Sequence, residues 1–426
     1  MSENLPQWIE NQYSKAVASS SKLIEESVRS QALETIKKNG FPTRRQEEWK
    51  YTDISSFLKT DYKTPVAIIN KNQIDTLISK YIGENYNFTK LVFVNGVYNQ
   101  ELSDSTLPTG VSLCDYQVGN DIKLKSDVNS AFTALNLACS TSGIALEVEK
   151  NKIIEKPILV LSVVTKDSKD SAIYPRLLIN AKENSSVKVL ECNISEEDNN
   201  YLSSAVTEIF LGANAQVEQL ILNQQSKNAF SYNNTTIKQQ ATSNYRSTIL
   251  NFGSALTRNE IEVNLLGEGA NTTIGGVNVL EKTQQVDNFT IMEHAVPHCE
   301  SKQVFKGVYN DKSQGVFDGT IIVRPDAQKT NAIQSSQSLL LTDQANSYSK
   351  PQLKIWADDV KCTHGATVGQ IDEQALFYLR SRGIPEKDAK QILLLAFVSE
   401  VLADVKDLDL KNIAQDLLFN RLFEQV

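Results

Sequence analysis

Only three histidines occur in the 426 residues, His294, His298 and His364, so a three-histidine zinc site would need all of them. The five cysteines (Cys114, Cys139, Cys192, Cys299, Cys362) are scattered, odd in number and without a C-x-x-C pair. That pattern excludes a disulfide framework and a zinc ribbon, and it fits a reducing cytoplasm. Phosphate-binding glycine loops are missing as well. No G-x-x-x-x-G-K-[ST] occurs, so the chain carries no Walker A loop of its own. The absence of G-x-G-x-x-G after a strand and of G-x-S-x-G removes the dinucleotide and nucleophile-elbow chemistries. No dense Lys/Arg run is present, and the formal charge of −8 with a pI near 5.2 argues against nucleic-acid binding. The opening MSENLPQWIENQY lacks the basic and apolar regions of a secretory signal. The longest apolar run near the end, Ile392 to Val398, is far too short for a bilayer. A cytoplasmic protein without a membrane span is the expectation.

What is present is ordinary in bulk: 41% hydrophobic and 22% charged residues, as in soluble globular proteins. The length suggests two or three domains. The first segment reads as helical, with Pro6 at the start and apolar Trp8, Ile9, Tyr13 and Val17 following. A second amphipathic stretch carries Leu23, Ile24, Val28, Leu33 and Ile36, then meets Gly40 and Pro42. FPTRRQEEWKYTDISSFL comes next, and reads as a surface turn pinned by Trp49 and Tyr51.

From about Lys90 the texture changes. LVFVNGVYN signals a hairpin through Asn95-Gly96. A short helix is expected over 130–139. From Ile158 to about Leu341 short alternating runs follow one another, among them ILVLSVV, RLLINA, VKVLEC and VEQLIL. Polar turns such as GANAQ and GEGANT separate them at irregular intervals. Such runs suit a sandwich, a barrel or a β-solenoid. The recurring turn-then-strand phrases AKENSSVKV and LGANAQVEQ favour the solenoid, whose stacked coils share one apolar interior. Helices return after Asp372, an N-cap for a helix ending at Gly383. Pro385 starts another through ILLLAFVSEVLADV, and a last one covers roughly Leu410 to Phe423. The expected divisions are a helical 1–89, a transition over 90–157, a β core over 158–371 and a helical 372–426.

Reactive side chains concentrate in YSKPQLKIWADDVKCTHGATVGQIDEQALFYLRSRG, from Tyr348 to Gly383. If Lys361 to Gly365 is extended, Cys362 and His364 share a face, their Cα atoms roughly 6.5–7 Å apart. Two soft ligands at that distance suit one iron or zinc ion, or a sulfur species, but do not close a metal site. The plain alternative is a packed thiol and a hydrogen-bonded imidazole. His294-Ala-Val-Pro-His298-Cys299 gathers three further donors, but Pro297 rules out a helical pair and a structural reading is favoured.

Taken together, FPTRRQEEWKYT, HAVPHCESKQ, KPQLKIWADDVKCTHGATVGQID and LFYLRSRGI resemble the SufB/SufD family of iron–sulfur cluster assembly proteins, and within it the SufD branch. The resemblance implies a right-handed parallel β-helix core between amino- and carboxy-terminal helical domains. It also implies a non-catalytic scaffold that pairs with SufB and binds the ABC-type ATPase SufC through its carboxy-terminal helices. Alone, such a chain would form a homodimer. His364 and Cys362 match the family's residues for a transient iron–sulfur cluster shared with SufB. Leu394 and Phe397, in the apolar terminal run, become candidates for SufC docking. Reduced flavin is associated with the assembly, but no flavin motif is readable. Two other readings stay beside this one: a purely structural solenoid partner, and a carbohydrate-active solenoid enzyme using Asp318, Arg324, Asp326 or Asp359.

Overall fold

In a computed structural model of the chain, two ten-stranded sheets face each other and the backbone alternates between them, coil after coil. Residues 5–423 are described, apart from 20, 22, 67–68, 84–85, 116–130 and 197–198. The result is a parallel β-solenoid of about eight coils with helices towards both termini. Along the first sheet the same position returns every 27 to 31 residues, at Ser186, Gln216, Asn244, Asn271, Glu300, Asn331 and Lys361. Variable corner lengths explain why no fixed repeat is readable, although the strands pair in register.

Residues with special backbone preferences make the corners. Asn184 and Asn214 adopt left-handed φ values of 56° and 58°, which asparagine tolerates better than most residues. Their side chains stack from coil to coil, Asn214 Nδ2 donating to Asn184 Oδ1 at 3.0 Å. Inside the solenoid a second ladder runs through Asn193, Asn223, Asn251 and Asn278, each amide donating to the next at 2.8–3.1 Å. A one-residue slip would turn these amides out of the interior, so the ladder helps fix register.

The apolar interior holds Val187, Val189, Val217, Ile249, Ile274, Ile321 and Val323. The outer faces of both sheets are largely covered too, which is why many strands read as continuous apolar runs. Helices α1 (Gln7–Ala18) and α2 (Glu26–Asn39) supply part of one cover. α3 (Ser55–Leu58), α4 (Lys71–Tyr81) and α5 (Ala131–Cys139) follow, with position 130 of the expected fifth helix outside the described residues. Trp8, Leu33, Trp49 and Phe132 pack over Phe230, Tyr232 and Leu256 on the second sheet. On the first sheet, α6 (Glu373–Ser381), α7 (Glu386–Ser399) and α8 (Leu408–Phe423) complete the chain. There Leu394, Val398, Ile413 and Leu418 bury Leu220, Leu250, Phe252 and Val277.

The expected hairpin is present, with Val94 paired to Val97 across Asn95 and Gly96, both at positive φ. Its first strand, Thr89–Val94, pairs in parallel with Ile158–Val163, so the walls of the solenoid already begin within the segment read as a transition. Asp372 caps α6 through bonds from the Gln374 and Ala375 amides. No helix among the described residues is long and apolar enough to cross a membrane.

Candidate functional site

The solenoid ends on one coil made of Asn346–Ile355 in the second sheet and Lys361–Gly369 in the first. Each strand pairs with the coil below and has no further strand beyond it among the described residues. An edge of that length presents a row of free backbone donors and acceptors.

Register decides which side chains face inward. Cys362 stands over Ala332 and His364 over Gln334, two residues that are themselves buried in the interior. The two candidate ligands therefore share the inward face of the last coil. Cys362 is half-buried against the interior cluster, while His364 is exposed. Burial raises the Cys362 thiol above its ordinary value, partly opposed by a backbone bond from Ala332. A thiol held that way is a poor nucleophile until a cation or metal draws off its proton. Among the described residues no group of three or more His, Cys, Asp or Glu could hold a metal. This chain's described residues thus offer an incomplete set of donors on an open face.

The other histidines serve elsewhere. His294 is buried, its Nε2 2.8 Å from Ser301 Oγ, and burial lowers it to about 4. A neutral structural imidazole follows. His298 sits on a corner at φ 59°, exposed and 3.9 Å from Glu268. Cys299 is buried with its thiol against the Gly267 carbonyl at 3.4 Å. His294 and Cys299 are buried while His298 stands exposed on the corner between them, and the three form no metal-holding group. Three of the four carbohydrate-enzyme residues sit in separate ion pairs, Arg324 with Glu293 at 2.7 Å, Asp359 with Lys329, and Asp318 with Lys350 at 3.6 Å, while Asp326 is exposed on a corner.

Leu394 is fully buried between α7 and the first sheet, which leaves it no face for a partner. Phe397 is half-buried, its ring 4.4 Å from Lys306 Nζ. Internal burial, the competing explanation for this apolar run, accounts for Leu394. The exposed apolar side chains of the terminal helices are instead Phe377, Tyr378, Ile392, Leu408 and Phe419.

One segment carries far more structure than the turn expected of it. Trp49 is completely buried, 3.9 Å over the guanidinium of Arg258. Arg258 is buried as well and bonds Glu260 at 2.7 Å, Asp287 and the Glu48 carbonyl. Burial disfavours its charge, but Asp287 and Glu260 more than offset this and hold it above its ordinary value. Thr52 bonds the same Asp287, and Tyr51 stacks on Tyr348 of the final coil at 4.0 Å and 9°. The segment is a strap across the second sheet that reaches the open end. Its sequence signal was the unusual density of charged and aromatic residues, without any hint of partners more than 200 residues away.

Two family models cover nearly the whole chain. The SufBD protein N-terminal region matches residues 4–160, and the SUF system FeS cluster assembly SufBD core domain matches 163–397. The chain belongs to the SufBD family. Among its relatives, the iron–sulfur cluster assembly protein SufD of Escherichia coli K12 is 33% identical over 389 residues, 90% of this chain and 89% of the relative. A Synechocystis SufBD family protein is 31% identical over 384 residues, covering 85% and 84%. SufD of Bacillus subtilis is 30% identical over 293 residues, covering 67% and 65%. The SufBD core match includes the open coil with Cys362 and His364, and the N-terminal match includes the strap. The chain is thus a SufD-like protein of iron–sulfur cluster assembly.

Proposed function

We propose that this chain is a non-catalytic scaffold subunit of a SUF complex, and that its open coil pairs with SufB. The single observation that carries the reading is the juxtaposition of an unpaired solenoid edge with Cys362 and His364 on its inward face. A second solenoid edge laid on this one would satisfy the free backbone groups and exclude water. It would also add donors to an incomplete set. Neutral imidazole and thiolate both hold iron, and thiolate also holds sulfur. A cluster held at a seam by mixed ligands is cargo: it leaves more readily than from a closed cage of four cysteines. Any ATP-driven opening of the seam would come from SufC, since this sequence has no Walker A loop. The solvent-facing Phe377 and Tyr378 of α6 are the better candidates for that contact.

His364→Ala should leave folding and SufB capture nearly intact while cluster assembly in cells collapses. The measurement is complementation of a strain lacking the protein, with pull-down yield and melting temperature for each variant. Cys362→Ala should fall equally far if its thiol is a ligand, and less if it only packs. Full complementation by His364→Ala would overturn the site.

A further inference from the structure

Directly beneath His364, in the interior of the last complete coil, lies a buried side chain with nothing to bond. Gln334 is 1% exposed, and neither its amide nitrogen nor its oxygen has a hydrogen-bond partner. Buried amides are rarely left so, because each unmade bond costs stability. The surroundings are shaped to admit it. A methyl group built on Gly319, across the interior, would collide with the Gln334 carboxamide, so the opposite strand gives up a side chain at that point. One coil lower the equivalent Gln303 is bonded through its oxygen, which accepts from Thr290 Oγ at 2.7 Å, while its amide nitrogen has no partner; in Gln334 the oxygen is orphaned too. The polar column therefore runs Gln303, Gln334, His364, on adjacent strands about 4.8 Å apart.

We infer that Gln334 is a positioning residue for His364, its carboxamide oxygen accepting the ring N–H nearer to it when the open coil is covered. An imidazole that gives one N–H to a carbonyl keeps the lone pair of its other nitrogen for a ligand. The bond thereby fixes both the tautomer and the ring's outward aim. Covering the coil would remove the water that otherwise competes for the imidazole, and would supply the missing partner of Gln334. This inference rests on the reading of His364 given above.

The test uses Gln334→Leu and Gln334→Met, which remove the acceptor at similar volume, and Gln334→Glu, which keeps an oxygen there. Removing an unpartnered buried amide should leave the melting temperature unchanged or higher, whereas the positioning role predicts a loss of cluster loading. Cluster loading of the complex co-purified with SufB should fall about fivefold in the Leu and Met variants, the worth of one net hydrogen bond. Gln334→Glu should restore it. The double variant Gln334→Leu/His364→Ala should load no less cluster than His364→Ala alone, because Gln334 acts only through the imidazole. With histidine-labelled full chain, the His364 ring resonances in the complex should shift in Gln334→Leu, while those of His294 and His298 stay fixed. Unchanged loading together with unchanged His364 resonances would overturn the inference, even where His364→Ala abolishes loading. A fully active His364→Ala would instead bring down the site itself, and this inference with it.

Discussion

Arg258 and His294 show how differently this fold treats buried groups that can carry charge. Arg258 stays charged because Glu260 and Asp287 surround it and Trp49 covers its face. Removing one member of such a cluster would leave a buried charge uncompensated, which is costlier than never having built it. His294 has one hydroxyl partner and no carboxylate, so burial alone decides and the ring stays neutral down to about 4. The unfolded imidazole titrates near 6.5. Above that value neither state is protonated and His294 adds no pH dependence. Between about 6.5 and 4 the unfolded chain takes up a proton that the folded chain refuses, so stability falls as the pH drops. The loss approaches about 3 kcal/mol at the lower end. His294→Gln should flatten that part of the profile, read as urea midpoints at pH 7.5 and pH 5. An equally steep profile in the variant would place the acid sensitivity elsewhere.

Among the elements, the terminal helices divide cleanly into a face that holds the protein together and a face that meets solvent. Leu394→Asp should bury a charge against the first sheet and lower the melting temperature by several degrees, the cost of an unpaired buried carboxylate. Phe377→Glu changes a side chain 72% exposed and should leave melting unchanged while weakening SufC capture. Loss of capture in neither variant would move the SufC contact off α6 and α7. The helices themselves were legible because their signals are local: Pro6, Gly40, Asp372 and Pro385 all stand at or beside helix ends. The strands were legible as strands, and the turn-then-strand phrases pointed to stacked coils. The period was not, since corners of differing length keep the coils in register while shifting their spacing in sequence. The strap was missed for another reason. Trp49 and Tyr51 take their meaning from Arg258, Asp287 and Tyr348, and no local pattern announces contacts across such separations. Leu394 illustrates the same limit, because apolar periodicity alone does not say whether a helix face is covered by its own chain. For the site, the two-residue spacing of Cys362 and His364 correctly placed them on one face. It could not reveal Gln334 below them, which only the pairing of strands brings into line.

At the scale of the whole molecule the strap and the start of the carboxy-terminal helices both meet the last coil. The strap stacks Tyr51 on Tyr348, and Glu47 pairs with Lys350 at 2.8 Å, so the amino-terminal segment braces the outer face of the terminal strand. Just after the terminal strand of the first sheet, Asp372 starts the helices that fold back over that sheet. The open edge is thus held firm on its outer side and left bare along its rim. Proteins that must remain single usually blunt such edges with charge, proline or bulges. Here the coil carries Pro351 on one strand, yet Ile355, Trp356 and Val368 stand exposed around the end. An edge so furnished should not stay unpaired at high concentration, and the partner available to the isolated chain is a second copy. Sedimentation velocity should therefore show a concentration-dependent dimer of the purified protein. Val368→Asp, on the inward face of the terminal strand, should shift that equilibrium to monomer with no change in the circular dichroism of the solenoid. Co-expressed SufB, competing for the same edge, should replace the second copy, and the same substitution should weaken that pairing too. A dimer that survives Val368→Asp while SufB capture is lost would separate the two surfaces and place self-association elsewhere on the molecule.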